Sequence, residues 1–247
     1  MTYGFKVIGD SGSIQIDDTY ANLAVIGSGT VSLSNGWGSN NMAWYGDVSV
    51  DVGDSTSYPL IGWNGGNGSS YVVCLGHTIS GTVHTWRLLT INSNGTLSGE
   101  GPMVINWYVF GRPTVSSNGY GLRVRDANGR VTFDSGNHYM TVIGAINTTW
   151  NALANAGAVS TSPLRTAYSS NVVIVLGDCG INNYVMFLAP ASYFWATQFA
   201  ACRIVGGSNV DSACQLQAEQ TAIGSTSPTL PGIRQVLSNI IASADVL

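Results

Sequence analysis

The sequence predicts an all-β protein of two tandem β-sandwich-like modules, each opening with a β-hairpin, with a short C-terminal helix. Three observations carry this. A 25-residue segment occurs twice without a gap, at 3–27 and 120–144. Eight of its positions are identical, among them Val25-Ile26-Gly27 and Val142-Ile143-Gly144, where chance gives about two. Short apolar runs recur roughly every ten residues between clusters of Gly, Asn, Ser and Thr, the spacing of a sandwich or barrel rather than of βαβ units. Finally, 45% of the 247 residues are apolar and only 9% are charged. That composition can bury a core and leaves a surface of hydroxyls and amides.

Each repeat opens as a hairpin. Phe5 and Val7 alternate with Lys6 and Ile8, and Ile14 and Ile16 resume the alternation after Gly-Asp-Ser-Gly. In the second copy Leu122 and Val124 precede Asp-Ala-Asn-Gly, and Val131 and Phe133 follow. Period-two alternation turns one apolar face inward. Gly12 and Gly129 end the turns, where a type I turn needs a residue at positive φ. Asp17 and Asp134 close the second strand as turn or cap residues that bond nearby backbone N–H groups.

The first module is expected over 1–115, with strands near 24–26, 30–33, 43–45, 48–52, 71–75, 83–91 and 103–110 and a Gly/Asn/Ser loop over 63–70. The second is expected over 116–247, with a buried strand at 172–176 and an Ala-rich helical turn at 152–158. Tyr-Val-Met-Phe-Leu at 184–188 echoes Tyr-Val-Val-Cys-Leu at 71–75. After Pro231, Ile233, Val236, Leu237, Ile240 and Ile241 fall at helical spacing, so an amphipathic helix is expected over about 231–244. Its stripe fits its own domain or a subunit contact in an oligomer.

Composition and motifs restrict the chemistry. A net charge of −4 lacks the basic footprint of a nucleic-acid binder. No apolar run is long enough to span a bilayer as a helix, and the N-terminal residues do not read as a secretory signal. A cytoplasmic folding compartment is therefore expected. Cys74, Cys179, Cys202 and Cys214 contain no C-x-x-C pair, so buried thiols are expected, with Cys202–Cys214 the one bridge to consider. His77, His84 and His138 lack metal-ligand spacing, although the first two could face each other across a hairpin. Glu occurs only at Glu100 and Glu219, and Asp47, Asp51 and Asp54 read first as a solvated strand edge. No catalytic residues, metal or cofactor are expected.

Two groups remain as candidate contacts. Trp37, Trp44, Tyr45 and Trp63 lie in or beside Gly/Asn-rich segments, the setting of glycan sites and protein interfaces as well as of core packing. Arg123, Arg125 and Arg130 crowd the polar face of the second hairpin, where they could bind an anion or a neighbouring subunit, or pair with Asp126.

Residues 106–144 carry a family resemblance. Trp107, Tyr108, Val109, Phe110, Arg112 and Pro113 match a W/Y-V-F-x-R-P strand; Tyr120, Gly121, Leu122, Val124, Asp126, Gly129, Phe133, Asp134 and Ser135 match the Y-G-L-x-V-x-D-x-x-G-x-x-x-F-D-S-G hairpin after it. This pairing resembles a signature of tail proteins of tailed bacteriophages and prophages, and residues 3–17 look like a looser copy. The resemblance covers roughly a quarter of the chain. It implies a non-catalytic component of the tail tip, baseplate or fibre region, assembled in the bacterial cytoplasm, partnered by other tail proteins and forming a homo-oligomer, a trimer by preference. The alternative is a receptor-binding protein reading a host glycan or pilus.

Overall fold

The computed structural model describes residues 6–8, 14–17, 21–37, 43–54, 58–66, 70–91, 102–116, 121–150, 164–168, 171–176, 181–189, 192–223 and 235–243. These residues are all-β and contain no helix. Up to the end of the first repeat's sheets the strands are β1 (Lys6–Ile8), β2 (Ile14–Asp17), β3 (Ala24–Leu33), β4 (Asn35–Trp37), β5 (Ala43–Asp51), β6 (Leu60–Gly65), β7 (Tyr71–Ser80), β8 (Val83–Ile91) and β9 (Met103–Gly111). Then come β10 (Arg123–Arg125), β11 (Val131–Asp134), β12 (Val142–Trp150), β13 (Leu164–Ala167), β14 (Val172–Leu176), β15 (Ile181–Ala189), β16 (Ser192–Val205), β17 (Asn209–Ile223) and β18 (Gln235–Ser243).

β1–β2 and β10–β11 are the two expected hairpins. The other strands form a six-stranded sheet, β12-β18-β14-β6-β9-β3, and an eight-stranded one, β13-β17-β16-β7-β8-β5-β4 with β15 on β16. The two sheets enclose the main core. Ile61 and Trp63 of β6, Ile105 and Val109 of β9, and Val172 and Ile174 of β14 meet Val72 and Cys74 of β7, Trp86 and Leu88 of β8, and Cys202 of β16. The alternate residues of the same strands, Leu60, Phe110, Val173 and Val175, face the other way into a second, smaller core with Leu23, Val25 and Met140. The six-stranded sheet is thus apolar on both faces, which is why Val172–Leu176 reads as an unbroken run.

Two expectations need correction. Residues 235–243 are a strand, not a helix. β18 lies inside the six-stranded sheet, with Ile240 opposite Ala145 on one side and Val175 on the other, and Ile241 opposite Gly144 and Ile174. An interior strand of a sheet need not alternate, and the apolar residues of this one also fit helical spacing. Val236 and Leu237 pair with Thr149 and Thr148 in the same ladder, while Ile233 lies outside the described residues. The second correction concerns how the repeats combine. Both large sheets take strands from either side of residue 115, through β6–β14 and β7–β16. The repeats therefore share two sheets instead of each closing its own sandwich.

The sharing is two-fold symmetric. One row across the six-stranded sheet runs Ser28, Tyr108, Gly62, Val175, Ile240, Ala145. Its ends, Ser28 and Ala145, are separated in sequence by the repeat interval, and its midpoint lies between Gly62 and Val175. A row across the eight-stranded sheet reads Trp44, Thr90, Val72, Cys202, Ser212, Leu164, with its midpoint between Val72 and Cys202. The connecting segments obey the same axis. Ala24 bridges Tyr139, the Val25 N–H donates to the His138 carbonyl at 2.8 Å, and the Met140 N–H donates to the carbonyl of Leu23, its own repeat counterpart, at 2.9 Å. β15 and the outer length of β16 break the symmetry, because β7 begins only at Tyr71; the counterpart of the outer length of β17 lies outside the described residues. By position β16, not β15, is the counterpart of β7, so the echo between 71–75 and 184–188 does not mark equivalent strands. The Ala-rich segment 152–158 and the turn at Gly12 lie outside the described residues.

Candidate functional site

An open cleft of about 560 Å³ lies where the two halves meet, at the end of β6 and the start of β14. Asn64, Asn106, Tyr108 and Asn171 line it, together with Gly65-Gly66 and Gly206-Gly207. Alternation explains the placement. Asn64 sits two residues beyond Gly62, Asn106 and Tyr108 precede Phe110 at even spacing, and Asn171 precedes Val173, so all four share the face that carries the smaller core. That face changes from apolar to carboxamide at the edge of the core. Asn64 and Asn106 are opposite each other in the ladder, and the Asn106 Nδ2 donates to the Asn64 Oδ1 at 2.9 Å. Each amide thus spends one group and keeps another, the Asn64 amino group and the Asn106 carbonyl.

The two glycine pairs have positive φ, +88° and +99° at Gly65 and Gly66 and +63° and +81° at Gly206 and Gly207. Space also demands glycine twice. A Cβ on Gly66 would lie 2.5 Å from the Met103 methyl, and one on Gly207 would lie 2.6 Å from the Asn171 Oδ1. The Gly206-Gly207 turn is tied to β14 by the Val172 N–H, which donates to the Gly207 carbonyl at 3.0 Å. Among the described residues no ionisable side chain other than the Tyr108 phenol lines the cleft.

The second hairpin is a charged clamp. Its turn closes with the Gly129 N–H on the Asp126 carbonyl at 2.9 Å, and Gly129 has φ +77° as expected. The Asp126 carboxylate accepts from the backbone N–H of Asn128 and Arg130, both at 2.9 Å, and from the Arg130 Nε at 2.8 Å. Arg112 approaches the same carboxylate at 3.4 Å from the end of β9. Burial raises the Asp126 pKa, but the N–H and guanidinium donors outweigh it and hold the group at about 2. Asp134 is 4% exposed. It accepts from the Ser116 hydroxyl at 2.7 Å, the Gly136 N–H at 3.0 Å and the Arg123 Nε at 2.7 Å, and these donors, the hydroxyl foremost, hold it well below the usual carboxylate range. Arg125 donates to the Gly129 carbonyl at 2.6 Å. Arg123, Arg125 and Arg130 therefore serve their own hairpin. Leu122 falls outside β10 and is exposed, whereas Val124 is buried.

The aromatic candidates do not converge. Trp63 is 2% exposed inside the main core, and Trp44 packs against that core from the other sheet. The indole N–H of each is buried without a partner in the structure. Tyr45 carries the Arg87 guanidinium 4.3 Å above its ring, and Arg87 grips Asp47 through two 2.7 Å bonds. The side chain of Trp37 lies outside the described residues. Asp51 accepts from the Gly53 N–H at 2.9 Å, a local turn contact. His77 and His84 do meet across the β7–β8 hairpin, Nε2 to Nδ1 at 2.9 Å, and His77 stacks on Trp86 at 4.7 Å. Among the described residues no group of three His, Cys, Asp or Glu could hold a metal ion. Cys74 and Cys202 are buried and not disulfide-bonded, which excludes the Cys202–Cys214 bridge; Cys179 lies outside the described residues.

Sequence reasoning missed the cleft. Its signal was present as Asn64-Gly65-Gly66 and Gly206-Gly207, but only the pairing of β6 with β14 brings them together. Comparison of the chain with protein-family models, curated proteins and solved structures finds no match.

Proposed function

We propose that this protein is a non-catalytic structural component of a bacteriophage tail, in the tip, baseplate or fibre region, acting through protein–protein contacts in a homo-oligomer. The observation that carries the reading is the three-stranded arm made of β15 and the outer lengths of β16 and β17. β13 covers β17 only from Asn209 to Ser212, so among the described residues the remainder of β17 and the far side of β15 have no strand partner. Strand edges of this kind pair with other chains unless they are blunted. The tail-like signature supports the same reading, because Arg112 on Asp126 and Ser116 on Asp134 hold the hairpin against the segment that leaves β9. Mass spectrometry of gradient-purified virions from a phage or induced prophage encoding this chain tests it. The chain is expected among the virion proteins, and its absence from intact particles overturns the proposal. Light scattering of the purified protein is expected to show a trimer.

A second reading, attachment of the virion to a host surface, is favoured by the open cleft of carboxamides and an aromatic ring. It moves the candidate surface from Trp44 and Trp63, which pack in or against the core, to the junction of the halves.

A further inference from the structure

We infer that the cleft between β6 and β14 is a binding site for a neutral, hydroxyl-rich saccharide, an assignment that rests on the attachment reading. The chemistry of the lining selects the ligand class. A sugar hydroxyl both donates and accepts, and the Asn64–Asn106 pair offers one amino group and one carbonyl side by side. With no charged side chain among the described residues that line the cleft, neither phosphate nor carboxylate is compensated there, and the carboxamides favour an uncharged partner. The Tyr108 ring, half-buried on the same face, supplies an aromatic surface with a phenol at its end. The two glycine pairs keep the rim free of side chains and leave its backbone open to a flat ligand. The cleft volume of about 560 Å³ holds more than one sugar ring.

The site belongs to one end of the β6–β14 pair only. Under the internal two-fold, Ser238 and Ile240 of β18 occupy the positions of Asn106 and Tyr108. The duplication therefore built the scaffold twice and the carboxamide cluster once.

An array of neutral and acidic bacterial surface glycans, probed with the full-length protein and with Asn106→Ala and Asn171→Ala, tests the inference. Retention of neutral glycans that falls at least tenfold in both variants is the expected result. Gly207→Ala, which drives a methyl against the Asn171 carboxamide, is expected to reproduce the loss, and Ser49→Ala on the eight-stranded sheet is expected to bind like the parent. Circular dichroism confirms that each variant is folded. Retention of acidic glycans alone, or of neutral glycans equally by parent and variants, overturns the cleft assignment and leaves the attachment reading standing. No retention of any glycan overturns the cleft assignment and removes glycans from the attachment reading as well.

Discussion

In the first hairpin the register slips between Val7 and Ile8; in the second it slips between Val124 and Arg125, the equivalent step of the repeat. The strands that follow slip again at equivalent places, between Val25 and Gly27 in β3 and between Val142 and Gly144 in β12. The backbones agree, yet the side chains differ. Gly9 and Ser13 stand in the first copy where Asp126 and Arg130 stand in the second, and Lys6 stands where Arg123 does. The shared geometry therefore resides in what the copies have in common: apolar alternation, a glycine at the turn and Val-Ile-Gly at the bulge. The ion pairs of the second copy are an addition that ties its hairpin to Arg112 and so to β9.

The comparison can be broken hardest at the axis. Gly62 faces Val175 across the two-fold, and a Cβ on Gly62 would lie 2.8 Å from Val173 and 3.0 Å from Phe110. Gly62→Val, which makes the two positions alike, is expected to cost about 3 kcal/mol or more by overpacking, read from urea unfolding. Next comes the lock of the second hairpin. Asp134→Ala strands Arg123 and the Ser116 and Gly136 donors, and the melting temperature is expected to fall by roughly 5–10 °C. Asp126→Gly gives the second turn the residue the first has, and the expected fall is about half as large. A melting temperature unchanged by Asp126→Gly would show that the charged clamp adds nothing to the shared backbone.

Acid sharpens the same point. Both carboxylates are depressed in the folded state, Asp126 to about 2 from 3.8, so the unfolded chain binds protons first. Their stabilisation is complete above about pH 4 and is lost as pH falls toward 2. Thermal unfolding followed from pH 5 to pH 2 is expected to drop steeply in the parent and less steeply in Asp126→Gly. The smallest effect belongs to His77, whose pKa is lowered by burial first and by His84 second. A depressed histidine pKa favours the neutral folded form, so a slight loss of stability is expected as pH falls below 6.5, absent in His77→Gln.

The fold class, the hairpins and the glycine at positive φ were legible because they are encoded within windows of a few residues. The C-terminal strand was not. Its pairing with β12 and β14 joins segments far apart in the chain, and its apolar residues fall at a spacing that also fits a helix. Trp63 looked like a loop aromatic because Asn64, Gly65 and Gly66 follow it, but Asn64 and Gly65 finish β6 while Trp63 itself points into the core. Tyr45 looked open for the same reason, and its cover comes from Arg87 on the neighbouring strand. The carboxamide cleft draws on four separate stretches of chain, none of which is distinctive alone.

The two-fold between Gly62 and Val175 also says something about descent. Take away one half, and the other is left with the open edge of β6 in one sheet and of β7 in the other, each shaped to accept a rotated copy of itself. A gene carrying a single repeat would have made a homodimer, with the present carboxamide cleft lying at its subunit boundary. In a chain that carries both repeats that boundary is interior and its two ends need not be alike, so asparagines can stand at one end of the axis while serine and isoleucine stand at the other.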